Sequence, residues 1–306
     1  MSSNLCLWNK GAIRAEAFRL GAVAFGCSEA RPVDSRFKQF YDHWIAAGHN
    51  GSLDYMRRYG DVRHDPRLLL PGARTVISMA FPYRPAGGYH HPFIADYALG
   101  ADYHIVLRQR LFALARFIFD NFGALSRPCV DTAPLPERYW ARKSGLGWIG
   151  LNGQLIVPGV GSGVFLGELI TTLQLAPDSP LEGDCGRCGA CLRACPGHSL
   201  RGDSSLDARR CLSCLTIEHR GPLPPHVDLQ GHYYGCDECQ RACPHNAGEP
   251  PAPLPEFDPD PRLLHFDSAC AANITSSQWR RLTARSAMNR ISAAQLKRNI
   301  QHKKDS

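Results

Sequence analysis

Between residues 102 and 122 the chain reads DYHIVLRQRLFALARFIFDNF, where Ile105, Leu107, Leu111, Leu114, Phe117 and Ile118 recur near helical spacing with Arg108, Arg110 and Arg116 among them. An apolar stripe of that period predicts an amphipathic helix whose aliphatic and aromatic side chains pack into a core. Elsewhere in the first 175 residues the apolar runs are shorter. RTVISMAF (74–81) is rich in apolar and β-branched residues and follows the turn sequence LLPGA, so it predicts a buried strand. PCVDTA (128–133), GQLIVP (153–158) and GVFLGELITTLQL (163–175) read as strands in the same way. GVGSG (159–163) lies between two of them with no helix after it, which predicts a hairpin rather than a phosphate-binding loop. No G-x-G-x-x-G follows a strand and no P-loop is present, so no nucleotide cofactor is indicated.

After residue 184 cysteine takes over: residues 184–246 hold nine of the 13 cysteines. The stretch AGEPPAPLPEFDPDP (247–261) is too rich in proline for a regular helix or a central strand and reads as a connector. From 276 to 304 the period is helical again. This tail carries Arg280, Arg281, Arg285, Arg290, Lys297, Arg298, Lys303 and Lys304 without one acidic residue, a pattern that favours an anionic partner. The expected fold class is α+β, with a central-sheet domain over 1–176, a ferredoxin-like domain over 177–250, and a proline-rich connector with a short basic helical segment over 251–306.

A chain of 306 residues can bury a sizeable core without disulfide staples, so its cysteines need another explanation. Their number is odd, and the N-terminal stretch has no long apolar segment, cleavage site or twin-arginine pair, which predicts a reducing, cytoplasmic location. No apolar run approaches the roughly 18–20 residues needed to cross a bilayer, so a soluble protein is expected. The formal charge of +7 is compatible with a polyanionic partner and does not by itself require one.

The cysteines are ordered. Cys185-x2-Cys188-x2-Cys191-x3-Cys195-Pro196 is the bacterial ferredoxin run, in which three thiolates on a tight loop hold one 4Fe-4S cube and the fourth reaches a second cube. Cys236-x2-Cys239-x3-Cys243-Pro244 returns the exchange, and Cys211 completes the set. The expected ligand sets are Cys185, Cys188, Cys191 and Cys243 for one cluster, and Cys195, Cys211, Cys236 and Cys239 for the other. Paired C-x2-C motifs also build four-thiolate zinc sites, but zinc has no use for the third cysteine of the first run or for the terminal Cys-Pro pairs. Cys214 lies within reach of Cys211 and reads as a small buried residue. Cys6, Cys27, Cys129 and Cys270 are scattered and are given no chemistry.

Several separate stretches, in order and spacing, resemble the epoxyqueuosine reductases: LLPGARTVIS (69–78), ALGADYH (98–104), VDTAPLPERYWARKSGLGWIG (130–150), GSGVFLGEL (161–169), DARRCLSCLTIE (207–218) and YYGCDECQRACPHN (233–246). The resemblance covers nearly the whole chain. It implies a cobalamin-binding domain joined to two 4Fe-4S clusters, and reduction of the epoxide of epoxyqueuosine in a transfer RNA anticodon loop to queuosine. It further implies that Asp131, in the VDTAP motif, donates a proton. Asp131 ends an apolar strand-like run, where desolvation is expected to raise its pKa toward working pH. Positions matching corrin contacts are Arg63, Leu155, Leu166, Ser213, Gly235, Cys236 and Asp237, while Arg138, Lys143 and the basic tail are the expected RNA contacts. A D-x-H-x-x-G motif, which would supply a histidine to cobalt, is absent: Asp102-Tyr103-His104 continues to Leu107 where glycine should stand. The chain departs from the family pattern at Leu151, where a lysine is usual, at Cys214, where an aromatic is usual, and at His245 in place of tryptophan. Helical repeats of the kind that some members append after the clusters are not expected from this sequence.

Two other readings compete. A corrinoid reductive dehalogenase uses the same cofactors but typically carries a twin-arginine signal and a tyrosine donor. A non-catalytic iron–sulfur carrier needs only about 60 residues for its two clusters, and here some 180 precede them. An external reductant such as a flavodoxin or ferredoxin and a monomeric state are expected.

Overall fold

The computed structural model describes residues 2–85 and 90–302, with side chains from residue 9 onward. The thiol of Cys6 and both Lys303 and Lys304 lie outside the described residues. Helix α1 (Ser2–Arg19) leads into strand β1 (Ala24–Glu29), helix α2 (Ser35–Ala46), the short helix α3 (Gly60–His64) and strand β2 (Thr75–Pro82). Helix α4 (Tyr103–Phe122), strand β3 (Ser126–Cys129), helix α5 (Glu137–Lys143), the two-residue strands β4 (Trp148–Ile149) and β5 (Leu155–Ile156), and strand β6 (Val164–Thr171) follow. The main sheet is antiparallel throughout, in the order β1-β2-β6-β3.

Every residue of β2 is buried, because both faces of the sheet are covered. Ile77, Met79 and Phe81 point to one side, where α1 and α4 contribute Ile13, Ala17, Leu107, Leu111 and Leu114. Val76, Ser78 and Ala80 alternate to the other side, where Trp140 and Ala141 of α5 close the layer. This explains why the strand reads as a continuous apolar run. The fully buried Leu107, Leu111 and Leu114 of α4 each contribute about 1.5–3 kcal/mol by leaving water. Asp102 caps α4 by accepting the His104 backbone N–H, and Gly123 ends it at φ +64°. One position differs from the sequence expectation: Ile105 is exposed and Val106 takes the inward place, since the buried stripe runs through 106, 107, 111, 114 and 118.

GQLIVP contributes only β5, which pairs with β4 in a separate two-stranded sheet rather than joining the main one. The glycine-rich turn after it is closed by an antiparallel bridge from Val157 to Gly161. Gly161 sits at φ +91°, and a side chain there would collide with Asn246, whose amide oxygen accepts the Ser162 N–H at 2.7 Å. Strand β1, not expected from the sequence, is an edge strand containing Gly26, where a methyl group would strike the carbonyl of Ser144, which caps the end of α5.

The cysteine-rich segment contributes only short helices, α6 (Ala190–Ala194), α7 (Leu212–Ile217) and α8 (Glu238–Arg241). Helices α9 (Pro261–Leu264), α10 (Ser268–Asn273), α11 (Ser276–Thr283) and α12 (Ala293–Gln301) then close a second core around Trp279, Met288 and Leu296. That core also holds Ile94 and Leu99 from the first segment and Tyr233 and Tyr234 from the second, so the C-terminal helices are packed into the molecule. The proline-rich connector is docked too: Phe257 is buried and the Glu256 carbonyl accepts the Ala101 N–H at 2.9 Å. The basic tail is not one helix. It breaks after Thr283 and restarts at the Ser292 cap. Arg280, Arg281 and Arg285 are exposed, whereas the Arg298 guanidinium is spent on the carbonyls of Leu215, His219 and Gly221 at 2.8–3.1 Å. Among the described residues no helix is long and apolar enough to cross a membrane.

Candidate functional site

The eight ordered cysteines fall into two groups. Burial raises the thiol pKa of Cys191, and the nearby thiols of Cys243 and Cys185 add to it; Cys243 feels Cys188 and Cys185 in the same way. In the other group, burial and the Cys211 thiol push Cys236 up to about 12, and Cys239 is raised by burial with added effects from Cys211, Cys236 and Cys195. The packing of α6 against α8 brings the two runs together. In the first group Cys188 is exposed while Cys191 and Cys243 are buried; in the second Cys195 is buried and Cys211, Cys236 and Cys239 are partly so. Cys214 is buried on α7 beside Cys211.

The second group lies on the wall of an open cleft. Cys195, Cys211, Cys236 and Cys239 line it together with apolar Leu155, Val164, Leu166 and Leu212, and with Asn152, Gln154, Ser162, Ser213 and Gln240. Asp131 and Glu137 line it as well. The cleft-lining residues include no histidine among those described.

Asp131 lies two residues beyond β3 and adopts φ +47°, a left-handed conformation that costs a non-glycine residue on the order of 1 kcal/mol. Its backbone N–H is held at 2.5 Å by Oε1 of Glu137, and the Thr132 N–H donates to the Val130 carbonyl. The side chain is 44% exposed, and its Oδ2 lies 3.0 Å from Nε2 of His104 and 3.7 Å from Arg290. On its far side His104 places Nδ1 2.7 Å from Oδ1 of Asp102, and Arg290 also reaches Glu218 at 3.2 Å. Tyr103 stacks on His104 and on Phe165, fixing the imidazole.

These contacts overturn the expected pKa of Asp131. Burial alone would raise it, but the hydrogen bond and charge of His104, together with Arg290, hold it below the ordinary aspartate value. The raised group is His104. Burial opposes its charged form, yet hydrogen bonds and charges from Asp102 and Asp131 lift it to about 9. Near neutral pH the pair is therefore an imidazolium beside a carboxylate, with both ring nitrogens donating.

The cleft gathers most of the residues singled out from the sequence: Asp131, Arg138, Leu155, Leu166, Ser213, Cys236 and Asp237 all line it. Gly235 adjoins them at φ +73°, pressed against Ala95 and donating its N–H to the Thr216 hydroxyl. Arg63 is elsewhere, buried with its guanidinium over Tyr41 and bonded to the Tyr55 carbonyl at 3.3 Å. Lys143 does not line the cleft and faces Asp34 at 3.6 Å. Leu151 is buried, and His245 meets the Cys185 carbonyl at 3.1 Å beside Trp148. Sequence reasoning missed His104, Glu137 and Arg290 as partners of Asp131. Glu137 stands inside the same VDTAPLPER string six residues on, but nothing in spacing alone ties Asp131 to a histidine 27 residues back or an arginine 159 residues ahead.

The family model for epoxyqueuosine reductase QueG, DUF1730, matches residues 63–132, and that for a 4Fe-4S double cluster binding domain matches 184–246. An epoxyqueuosine reductase of Cellulophaga algicola is 38% identical over 94% of this chain and 95% of its own length. One of Synechocystis is 39% identical over 84% of this chain and 92% of its own. Among solved structures, an epoxyqueuosine reductase with an epoxyqueuosine-modified tRNA-Tyr stem loop superposes with TM-score 0.87 at 29% identity, covering 95% of this chain and 79% of that one. With its two cysteine groups, its acidic cleft loop and full-length relatives of one kind, the chain belongs to the epoxyqueuosine reductase family, a family of oxidoreductases.

Proposed function

We propose that this protein reduces the epoxide of epoxyqueuosine in the anticodon loop of a transfer RNA, with cobalamin bound in the cleft and electrons arriving through two 4Fe-4S clusters. The observation that carries the reading is the cleft itself, which sets one four-cysteine group and the Asp131 loop on the walls of a single space. Cysteines 185, 188, 191 and 243 would hold the outer cluster, and 195, 211, 236 and 239 the one at the cleft wall. The cleft suits a corrin: Leu155, Val164, Leu166 and Leu212 offer an apolar surface to a macrocycle, while Asn152, Gln154, Ser162, Ser213 and Gln240 offer donors and acceptors to peripheral amides. When bound, the corrin supplies a two-electron centre that one-electron clusters can recharge. Arg63, buried over Tyr41, has no part in this cleft reading.

The chain's own residues handle the proton. Opening an epoxide to an alkene consumes two electrons and two protons and releases water, so the departing oxygen needs a donor beside it. His104 and Asp131 share the first of these protons across 3.0 Å, with Asp102 fixing the imidazole from behind, and the second comes from bulk water through the open cleft. The shared proton leaves through the Asp131 carboxyl, the member of the pair that lines the cleft. Arg138 and Arg290 border the loop with positive charge and would meet the anticodon phosphates, in a salt-dependent contact typical of single-stranded RNA loops. Lys143 and the exposed arginines of α11 would add to the grip. In this reading residues 1–176 would carry the corrin and 177–250 the clusters, with an external donor such as a flavodoxin or ferredoxin supplying the electrons.

The test is anaerobic turnover of an epoxyqueuosine-bearing anticodon stem loop, followed by mass spectrometry of the nucleoside, on wild type and Asp131→Ala reconstituted with iron, sulfide and cobalamin. The variant is expected to keep its iron and corrin absorbance and lose turnover. Full turnover by Asp131→Ala, or zinc in place of iron in protein prepared without oxygen, would refute the reading.

A further inference from the structure

Two more carboxyls lie behind Asp131. Glu137, the first residue of α5, holds the Asp131 N–H through Oε1. Glu168 lies deeper, on β6, with 0% exposure, no cation beside it and only the Ser78 hydroxyl within reach as a donor. Its neighbours along that face of the strand, Leu166 and Ile170, are apolar, and across the sheet it is paired with Ser78 on β2 and Cys129 on β3. The α5 layer above brings Trp140, also with an unpartnered indole N–H, and Ser144. The charged group set against Glu168 is the carboxyl of Glu137, which in turn faces Asp131, Arg138 and His104. A carboxylate fully buried without a cation is untenable in an apolar interior, even with one hydroxyl beside it, and takes up a proton instead.

We propose that Glu137 and Glu168 form a proton-holding carboxyl pair that positions Asp131, with Glu168 a permanently neutral acid and Glu137 a neutral acceptor that pins the strained Asp131 backbone. This rests on the reading of Asp131 as the proton-handling group of the cleft. A neutral Glu137 can hold the Asp131 N–H through a carbonyl oxygen without placing a second negative charge behind the Asp131 carboxylate. Burial and the Asp131 charge lift Glu137 to about 8, and burial, the dominant cause, lifts Glu168 far above the carboxylate range, further still once Glu137 ionises. Above about pH 8 Glu137 ionises, Asp131 acquires a like charge at its back, and the balance set by His104 and Arg290 is disturbed. Both glutamates are positioning residues: they act on the loop rather than on substrate.

Two measurements test this. Difference infrared spectra of wild type against Glu168→Gln at neutral pH should show loss of a protonated-carboxyl carbonyl band that stays constant from pH 6 to 8.5 in the wild type. Should Glu168→Gln not fold, Glu168→Met fills similar space without an acid and gives the same subtraction. The absence of such a band overturns the neutral-acid assignment. In turnover assays, Glu137→Ala should lower kcat about a hundredfold, the scale of a misplaced reacting group, with iron and corrin content unchanged. Glu137→Gln, which keeps the acceptor and cannot ionise, should restore most of that loss and move the alkaline limb of the kcat profile from about 8 toward the His104 value near 9. A Gln variant as slow as the Ala variant, or an alkaline limb that does not move, overturns the positioning role. The infrared band is read without turnover, so it separates failure of this pair from failure of the Asp131 assignment.

Discussion

Replacing His104 by alanine removes the cation that keeps Asp131 ionised, and the pH dependence of folding should register the loss. A rise of the imidazole pKa from its ordinary value of 6.5 to about 9 corresponds to about 3 kcal/mol of preferential stabilisation of the charged ring. Because Asp131 is 44% exposed, solvent screens part of this, and about 2 kcal/mol is the better figure. The folded-state pKa is the higher one, so this stability is fully present below pH 6.5 and drains away as pH rises through about 9. Anaerobic urea unfolding at pH 6, 7.5 and 9.5 should show wild type losing about 2 kcal/mol more than His104→Ala across that interval. The two proteins should converge at the alkaline end. At neutral pH the variant should also turn over about a hundredfold or more slowly, the usual scale for a lost general acid. Parallel stability curves for the two proteins, or a His104 resonance titrating near 6.5, would refute the paired imidazolium.

The Asp131 carboxylate also faces Arg290, so Arg290→Gln should raise the Asp131 pKa and weaken RNA binding at low salt more than at high salt, while costing at most about 1 kcal/mol of stability because the pair is half exposed; a salt-independent effect in filter binding would discount the charge argument. Serine at Cys188 or at Cys239 should each lower iron from about eight to about four per chain, but only the Cys239 variant should disturb corrin absorbance, since Cys239 lines the cleft and Cys188 is on the surface; iron assay and visible spectra check both. Gly26→Ala should destabilise the fold by about 1–3 kcal/mol through the clash with the Ser144 carbonyl, measured by urea unfolding, with no change in iron content.

What could be read from the sequence follows physical range. The α4 stripe, β2 and β6 were legible because burial imposes a short period on consecutive residues, and both faces of β2 are covered. The cysteine runs stand out because ferredoxin-type loops carry their spacing locally, and in the fold the thiols that neighbour one another fall into two groups. Strand β1 was missed because an edge strand with a glycine at its centre carries a weak apolar signal. The role of β5 was misread since a short apolar run does not say which sheet will receive it. The pKa of Asp131 was given the wrong direction because burial was the one influence visible locally, while His104 and Arg290 reach it from elements far apart in the chain.

The arrangement also explains why the C-terminal segment cannot be treated as an appendage. Its helices complete the core around Tyr233 and Tyr234, directly before the Cys236 turn that forms part of the cleft wall. Asn299 on α12 bonds the Tyr233 and Thr216 carbonyls at 2.9 Å, and Thr216 in turn receives the Gly235 N–H. A tie of this kind sets the backbone conformation from which Cys236 and Asp237 project. Between α11 and α12 the same segment delivers Arg290 to Asp131. One stretch of chain thus braces the cysteine wall of the cleft and balances the charge on its acidic loop, so both sides of the site are held in register by residues that, in the linear sequence, read only as a basic tail.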